Sequence, residues 1–227
     1  DLIIFDMRNH GLNPVSGADG HNYGQFAMDI GSIYHGVTRE LGPKTSVGVF
    51  HSFSARAAMK HATQIEWCWD AMVLFDPPNV PSHGHDHYES MCEFERRLVD
   101  WAMTRRSHFK DPLELAKNYA KGGKYWVEGA HELMARAVLR QNKDNQEWIL
   151  SCARELEASV YLAAMTMNLW PSYKQFGGPV KLIGADPKIE RGPATALANQ
   201  ALCQEQGYPY ESIPATGHLL QIEKPNE

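Results

Sequence analysis

A serine hydroxyl becomes a useful nucleophile only with help. It needs a base to take its proton, a carboxylate to orient that base, and donors for the oxyanion its attack creates. The sequence offers these side chains at three separate places. Ser52 follows the apolar run Thr45–Phe50, Asp186 follows Val180–Ile183, and His218 follows Tyr210–Ile213. Each run reads as a short strand, so each candidate stands at a strand's carboxyl end. In an open parallel sheet those ends border the crevice where ligands bind. The chain order is Ser…Asp…His. Asp76 likewise ends the apolar run Ala71–Phe75.

The elements that must position these residues can be read from periodicity. Leu2–Phe5 is a continuous apolar run ending at Asp6, which suits a strand covered on both faces. Arg8–Tyr23 holds Gly, Asn, Pro and Asp and reads as a loop. Gly24–Glu40 is helical, with Phe26, Ile30, Ile33, Val37 and Leu41 on one face, and Gly42-Pro43 stops it. Strand Thr45–Phe50, helix Phe53–Thr63 and strand Ala71–Phe75 follow. This alternation is the signature of an α/β fold with a mostly parallel, doubly wound sheet. From Asn79 to Gln175 only helices are expected: Glu89–Thr104, Leu113–Lys121, Val127–Arg140 and Glu147–Leu169. Asp111-Pro112 supplies the start of the second. Alternation resumes with strand Val180–Ile183, helix Pro193–Gln206 and strand Tyr210–Ile213. The expected organisation is an α/β core over residues 1–78 and 176–227, interrupted by an α-helical cap over 79–175.

Composition narrows the function class. The chain has 227 residues, 43% of them hydrophobic, and a net charge of −5. It shows no basic footprint for nucleic acid. No stretch approaches the roughly 20 apolar residues that cross a bilayer. Cys68, Cys92, Cys152 and Cys203 are scattered without a C-x-x-C pair, which points to reduced thiols in a cytoplasmic protein.

Five segments in the right order resemble the α/β-hydrolase-fold serine hydrolases. "FDMRNHGLNP" is similar to that family's D-x-R-G-H-G-x-S loop, and "VFHSFSARAA" to its V-G-H-S-x-G-G elbow. "MVLFDPPNVP" resembles the strand and turn leading into a helical cap. "PVKLIGADPKI" resembles the strand presenting the acid, and "ATGHLLQIEKPNE" the G-H-x-x-x-x-E-x-P segment carrying the histidine. Carried over, the resemblance implies Ser52 as nucleophile, His218 as general base and acid, Asp186 (or Asp76) as the acid, and Phe53 as one oxyanion donor. It implies no cofactor and no metal.

The departures are specific. The elbow turns sharply, so the positions two before and two after its serine are normally small. Ser54 is small, but Phe50 is not, and its ring must point away from the following helix unless the turn opens. Asn9 replaces a glycine, and asparagine tolerates left-handed backbone angles. The resemblance also implies a further strand between Leu2–Phe5 and Thr45–Phe50, with the second oxyanion donor in the loop after it. An upstream N-terminal segment is therefore expected, on a separate chain or before Asp1 in the same one.

The other chemistry-bearing residues read as structural. His83, His85 and His87 alternate in "PSHGHDHY". Gly84 loosens that stretch, so it reads as a polar hinge or surface loop. His10 reads as a maker of structural hydrogen bonds. The tryptophans and methionines of the cap are core, a subset of them lining a pocket. The function expected is hydrolysis of an ester, a lactone or a related acyl bond in a largely apolar small molecule. The alternatives are a carbon–carbon bond hydrolase and a non-catalytic small-molecule-binding member of the fold.

Overall fold

The computed structural model describes every residue except Lys143, Asn145 and Arg191. The main sheet holds β1 (Val47–His51), β2 (Ala71–Phe75), β6 (Val180–Gly184) and β7 (Tyr210–Ser212) in the order β1-β2-β6-β7. All three pairings are parallel. Gly48 and Phe50 of β1, Met72 and Leu74 of β2, and Val180 and Leu182 of β6 turn alternate residues into the core. Helix α1 (Tyr23–Leu41) packs on α2 (Ser52–Gln64), burying Phe26 and Ile30, while α7 (Ala194–Gln206) packs on β6. Register sets the level at which each strand ends. His51 lies opposite Phe75, and Phe75 opposite Ile183. The chain therefore leaves β1 and β2 at one level, at Ser52 and Asp76.

Two expectations are corrected by the fold. Leu2–Phe5 is not part of the sheet. Leu2 and Ile4 are 86% and 84% exposed, and a groove of about 250 Å³ separates this stretch from β1. A strand needs a neighbouring edge within about 4.8 Å to complete its ladder, and apolar character alone does not supply one. The groove is lined by Leu2, Phe5, Val37, Leu41, Val49 and Trp69 among others.

The segment between β2 and β6 is not purely helical. It contains α3 (Tyr88–Thr104), α4 (Pro112–Gly122), α5 (Ala130–Val138) and α6 (Arg154–Ala164). It also contains a small antiparallel sheet with the order β3-β5-β4: β3 (His108–Phe109), β4 (Leu139–Gln141) and β5 (Trp148–Leu150). The expected helix over Val127–Arg140 ends early because Leu139 and Arg140 pair with Leu150 and Ile149. Strands of two or three residues carry no readable periodicity, so only the pairing reveals them. Phe109, Leu115, Ala135, Leu139 and Leu150 form a local core beneath this sheet. Asp111 caps α4 as expected, accepting from the N–H of Leu113 at 2.7 Å.

Candidate active site

The turn from β1 into α2 is the sharpest feature of the site. Ser52 has φ 55°, a left-handed conformation that non-glycine residues adopt only when their surroundings enforce it. Three things enforce it here. The β1–β2 ladder holds the chain up to His51. Ser54 then clamps the turn: its hydroxyl donates to the His51 carbonyl at 2.7 Å and accepts from the His51 N–H at 3.2 Å. Beyond it, the Ser52 hydroxyl is held by His218.

Phe50 fits because its ring lies back along the strand. It is buried, packs edge-on against Trp69 and Phe5, and covers Gly48. A Cβ on Gly48 would sit 2.7 Å from Phe50 Cε2 and 3.0 Å from the Trp69 ring. The space that a small residue normally leaves at position 50 is supplied instead by Gly48, two residues upstream. Asn9 takes the left-handed angle as anticipated, with φ 62°. It organises its loop through hydrogen bonds to Gly17, Ser16 and His21.

Ser52, His218 and Asp76 come together. Ser52 Oγ lies 2.8 Å from His218 Nε2, and His218 Nδ1 lies 2.6 Å from Asp76 Oδ2. A carboxylate can only accept, so Nδ1 carries a proton and Nε2 is left to accept from the serine hydroxyl. Asp76 is fully buried. Burial opposes its ionisation, but donors from His218, Thr195 and Ala185 outweigh that and hold its pKa below the usual carboxylate range. Thr195 Oγ1 donates to Oδ2 at 2.6 Å, while Asn199 Nδ2 and the Ala185 N–H donate to Oδ1 at 2.9 and 3.1 Å.

Asp186 does not stand behind the imidazole, and assigning it there is corrected. Register explains why. One step past the Phe75–Ile183 pair, Asp76 is level with Gly184, so Asp186 lies two residues further out. Its carboxylate instead accepts from the N–H groups of Ala215 at 2.7 Å and Lys188 at 2.8 Å, and these lower its pKa. It thus braces the loop that carries His218. Glu223, the glutamate of the "ATGHLLQIEKPNE" segment, braces the same loop by accepting from the Gly217 N–H at 2.7 Å. Thr195 and Asn199 carried no sequence signal, because their burial against Asp76 depends on how α7 docks on the sheet.

Phe53 is the second residue of α2, and N–H groups in a helix's first turn have no intrahelical acceptor. Its ring packs against His10 and Phe26. His10 Nδ1 donates to the Arg8 carbonyl at 2.8 Å, and burial lowers its pKa. From α3, Phe94 places its ring 5.6 Å from that of His218. The neighbouring Glu95 is buried in an ion pair with Arg56 of α2. Of the alternating histidines, His85 pairs with Glu205, and His83 packs edge-on against Tyr88. Among the described residues, no cluster of three His, Cys, Asp or Glu is placed to hold a metal ion, and no helix is long and apolar enough to cross a membrane.

No protein-family model matches the sequence, and no curated protein matches it significantly. Solved structures do. The chain superposes on E-2-(acetamidomethylene)succinate hydrolase with a TM-score of 0.76 at 17% identity, covering 97% of this chain and 75% of that one. A peroxisomal α/β-hydrolase from Saccharomyces cerevisiae gives a TM-score of 0.67 at 17% identity, covering 97% and 63%. The fold is that of the α/β hydrolases. An esterase from Exiguobacterium antarcticum is similar at a TM-score of 0.64 and 13% identity, covering 97% and 75%.

Proposed function

We propose that this protein is a serine hydrolase that cleaves an ester, a lactone or a related acyl bond of a largely apolar small molecule. One observation carries the reading: the continuous hydrogen-bonded chain from Ser52 through His218 to the buried Asp76. In this reading the Ser52 oxygen attacks the carbonyl carbon as His218 Nε2 takes its proton. Asp76 holds the imidazole's tautomer and stabilises the imidazolium that forms. The Phe53 N–H donates to the oxyanion. His218 then protonates the leaving group, activates water against the acyl-enzyme, and returns the proton to Ser52.

Residues 79–175 act as a cap over the core of 1–78 and 176–227. The Phe94 contact with His218 and the Arg56–Glu95 pair between α2 and α3 support that role. Phe94 and Phe53 give the site apolar walls, in keeping with an apolar substrate. The cytoplasm is the proposed compartment, and the four free thiols accord with it.

A fluorophosphonate probe tests the reading. Ser52 should be the labelled residue, and Ser52→Ala should abolish labelling. A wild-type protein that stays unlabelled would overturn it.

The upstream segment also stands as a proposal. The groove beside β1, with its apolar lining and the 60%-exposed Val49, is suited to one more strand. A polypeptide extended before Asp1 should slow amide hydrogen exchange at Val47 and Val49. Unchanged exchange there would refute that placement.

A further inference from the structure

His51 precedes Ser52 in the chain, yet its side chain reaches across to the loop that carries the base. Its Nε2 lies 2.8 Å from the backbone oxygen of His218. A carbonyl oxygen only accepts, so Nε2 carries the proton and Nδ1 is bare. The two imidazoles lie 5.0 Å apart, inclined by 41°.

This contact adds a backbone-level tie between two parts of the site whose other direct link is the Ser52 Oγ–His218 Nε2 hydrogen bond. Ser52 is fixed by β1 and α2. His218 lies in the connection between β7 and α8 (Leu220–Glu223). The braces on that connection hold its neighbours: Asp186 holds Ala215, Thr216 bonds the Ile213 carbonyl, and Glu223 holds Gly217. Among the described residues, the hydrogen bond from His51 is the one made by the backbone of His218 itself.

We propose that His51 is a positioning residue: by donating from Nε2 to the His218 carbonyl, it sets the span between the nucleophile's strand and the base's loop. The proposal rests on the reading of Ser52 and His218 as nucleophile and base. It does not make His51 a proton carrier. Burial and the neighbouring His218 push its pKa down to about 4, so near neutral pH it stays an uncharged donor and does not compete for the serine proton. Misplacement of a reacting group by about 1 Å can lower a rate by around 100-fold, which is the scale on which such an anchor acts.

The test compares two substitutions in the full chain. Glutamine can present an amide N–H near the place of Nε2, whereas phenylalanine keeps the ring volume and removes the donor. His51→Phe should lower kcat on a p-nitrophenyl ester, and the rate of fluorophosphonate labelling, by about 10- to 100-fold, with KM little changed. His51→Gln should restore most of both. A second readout is independent of turnover: the Nδ1–H proton of His218, hydrogen-bonded to Asp76, should give a far-downfield NMR signal. That signal should persist in His51→Gln and broaden in His51→Phe. Equal losses in the two variants, or a wild-type rate and signal in His51→Phe, would overturn the proposal. If wild type is neither labelled nor active, the hydrolase reading fails. The NMR signal then decides the anchor alone: lost in His51→Phe and kept in His51→Gln supports it, and kept in both overturns it.

Discussion

The carboxyl ends of β2 and β6 each carry an aspartate, and the two have opposite surroundings. Asp76 is fully buried and receives four hydrogen bonds, two of them from α7. Asp186 lies nearer the surface and receives two, both from backbone N–H groups. Both have a lowered pKa. The difference lies in what each ionised group can orient. A buried carboxylate whose lone pairs are filled in fixed directions holds a neighbouring imidazole to one tautomer and one angle. A carboxylate at the rim holds a loop. Position at a strand end made both candidates, and a two-residue offset in register separated them.

The largest test of this contrast is Asp76→Asn. An amide facing Nδ1 favours the wrong tautomer, and kcat/KM should fall by about 10⁴-fold at neutral pH, while Asp186→Asn should not approach that loss. Comparable losses in the two variants would break the comparison.

Acid stability sharpens it next. The folded-state pKa of Asp76 is lowered, so its contribution is fully present above the ordinary carboxylate value of 3.8. It is lost as pH falls through the lower folded-state value. Urea unfolding at a series of acidic pH values should show this loss in wild type and not in Asp76→Asn. His51 acts at higher pH: with a folded pKa of about 4 against 6.5, its share of stability falls as pH drops from 6.5 towards 4. His51→Gln should flatten that window.

Thr195→Val should have a smaller effect. It keeps the shape and deletes one of the two donors to Asp76 Oδ2. A roughly tenfold loss in kcat is expected, with the fold retained by circular dichroism. No change in kcat would mean that the α7 donors are packing rather than electrostatics.

Asp186→Asn should have the smallest effect, about threefold or less in kcat. It should act through the loop, and faster amide exchange at Ala215 would report it.

The sequence was legible wherever the signal is local. The helices from Gly24 and from Pro193 appear within a residue or two of their expected bounds, because their periodicity and glycine stops act on the nearest turns. Strand Ala71–Phe75 was read in full. Reading failed where a distant partner decides. Leu2–Phe5 has the composition of a strand, yet a groove keeps it from pairing with the edge of β1. Leu139 and Arg140, read as the end of a helix, belong to a strand because Trp148–Leu150 pairs with it. Phe50 is large for the turn on residue type alone, and it fits because its ring lies over Gly48, a relation between side-chain direction and a missing Cβ.

By itself the sequence determined which residue types end the core strands and in what order, because a strand's boundaries and its first polar residue are written in adjacent positions. It thereby put Ser52 and His218 forward as partners and narrowed the acid to two aspartates. Only the tertiary structure showed which of those two meets the imidazole, and only it showed His51 reaching the His218 carbonyl. Parallel strands joined by long crossovers have a register that no local pattern encodes. The pairing of Phe75 with Ile183 leaves Asp76 level with Ser52 at the rim and carries Asp186 past it.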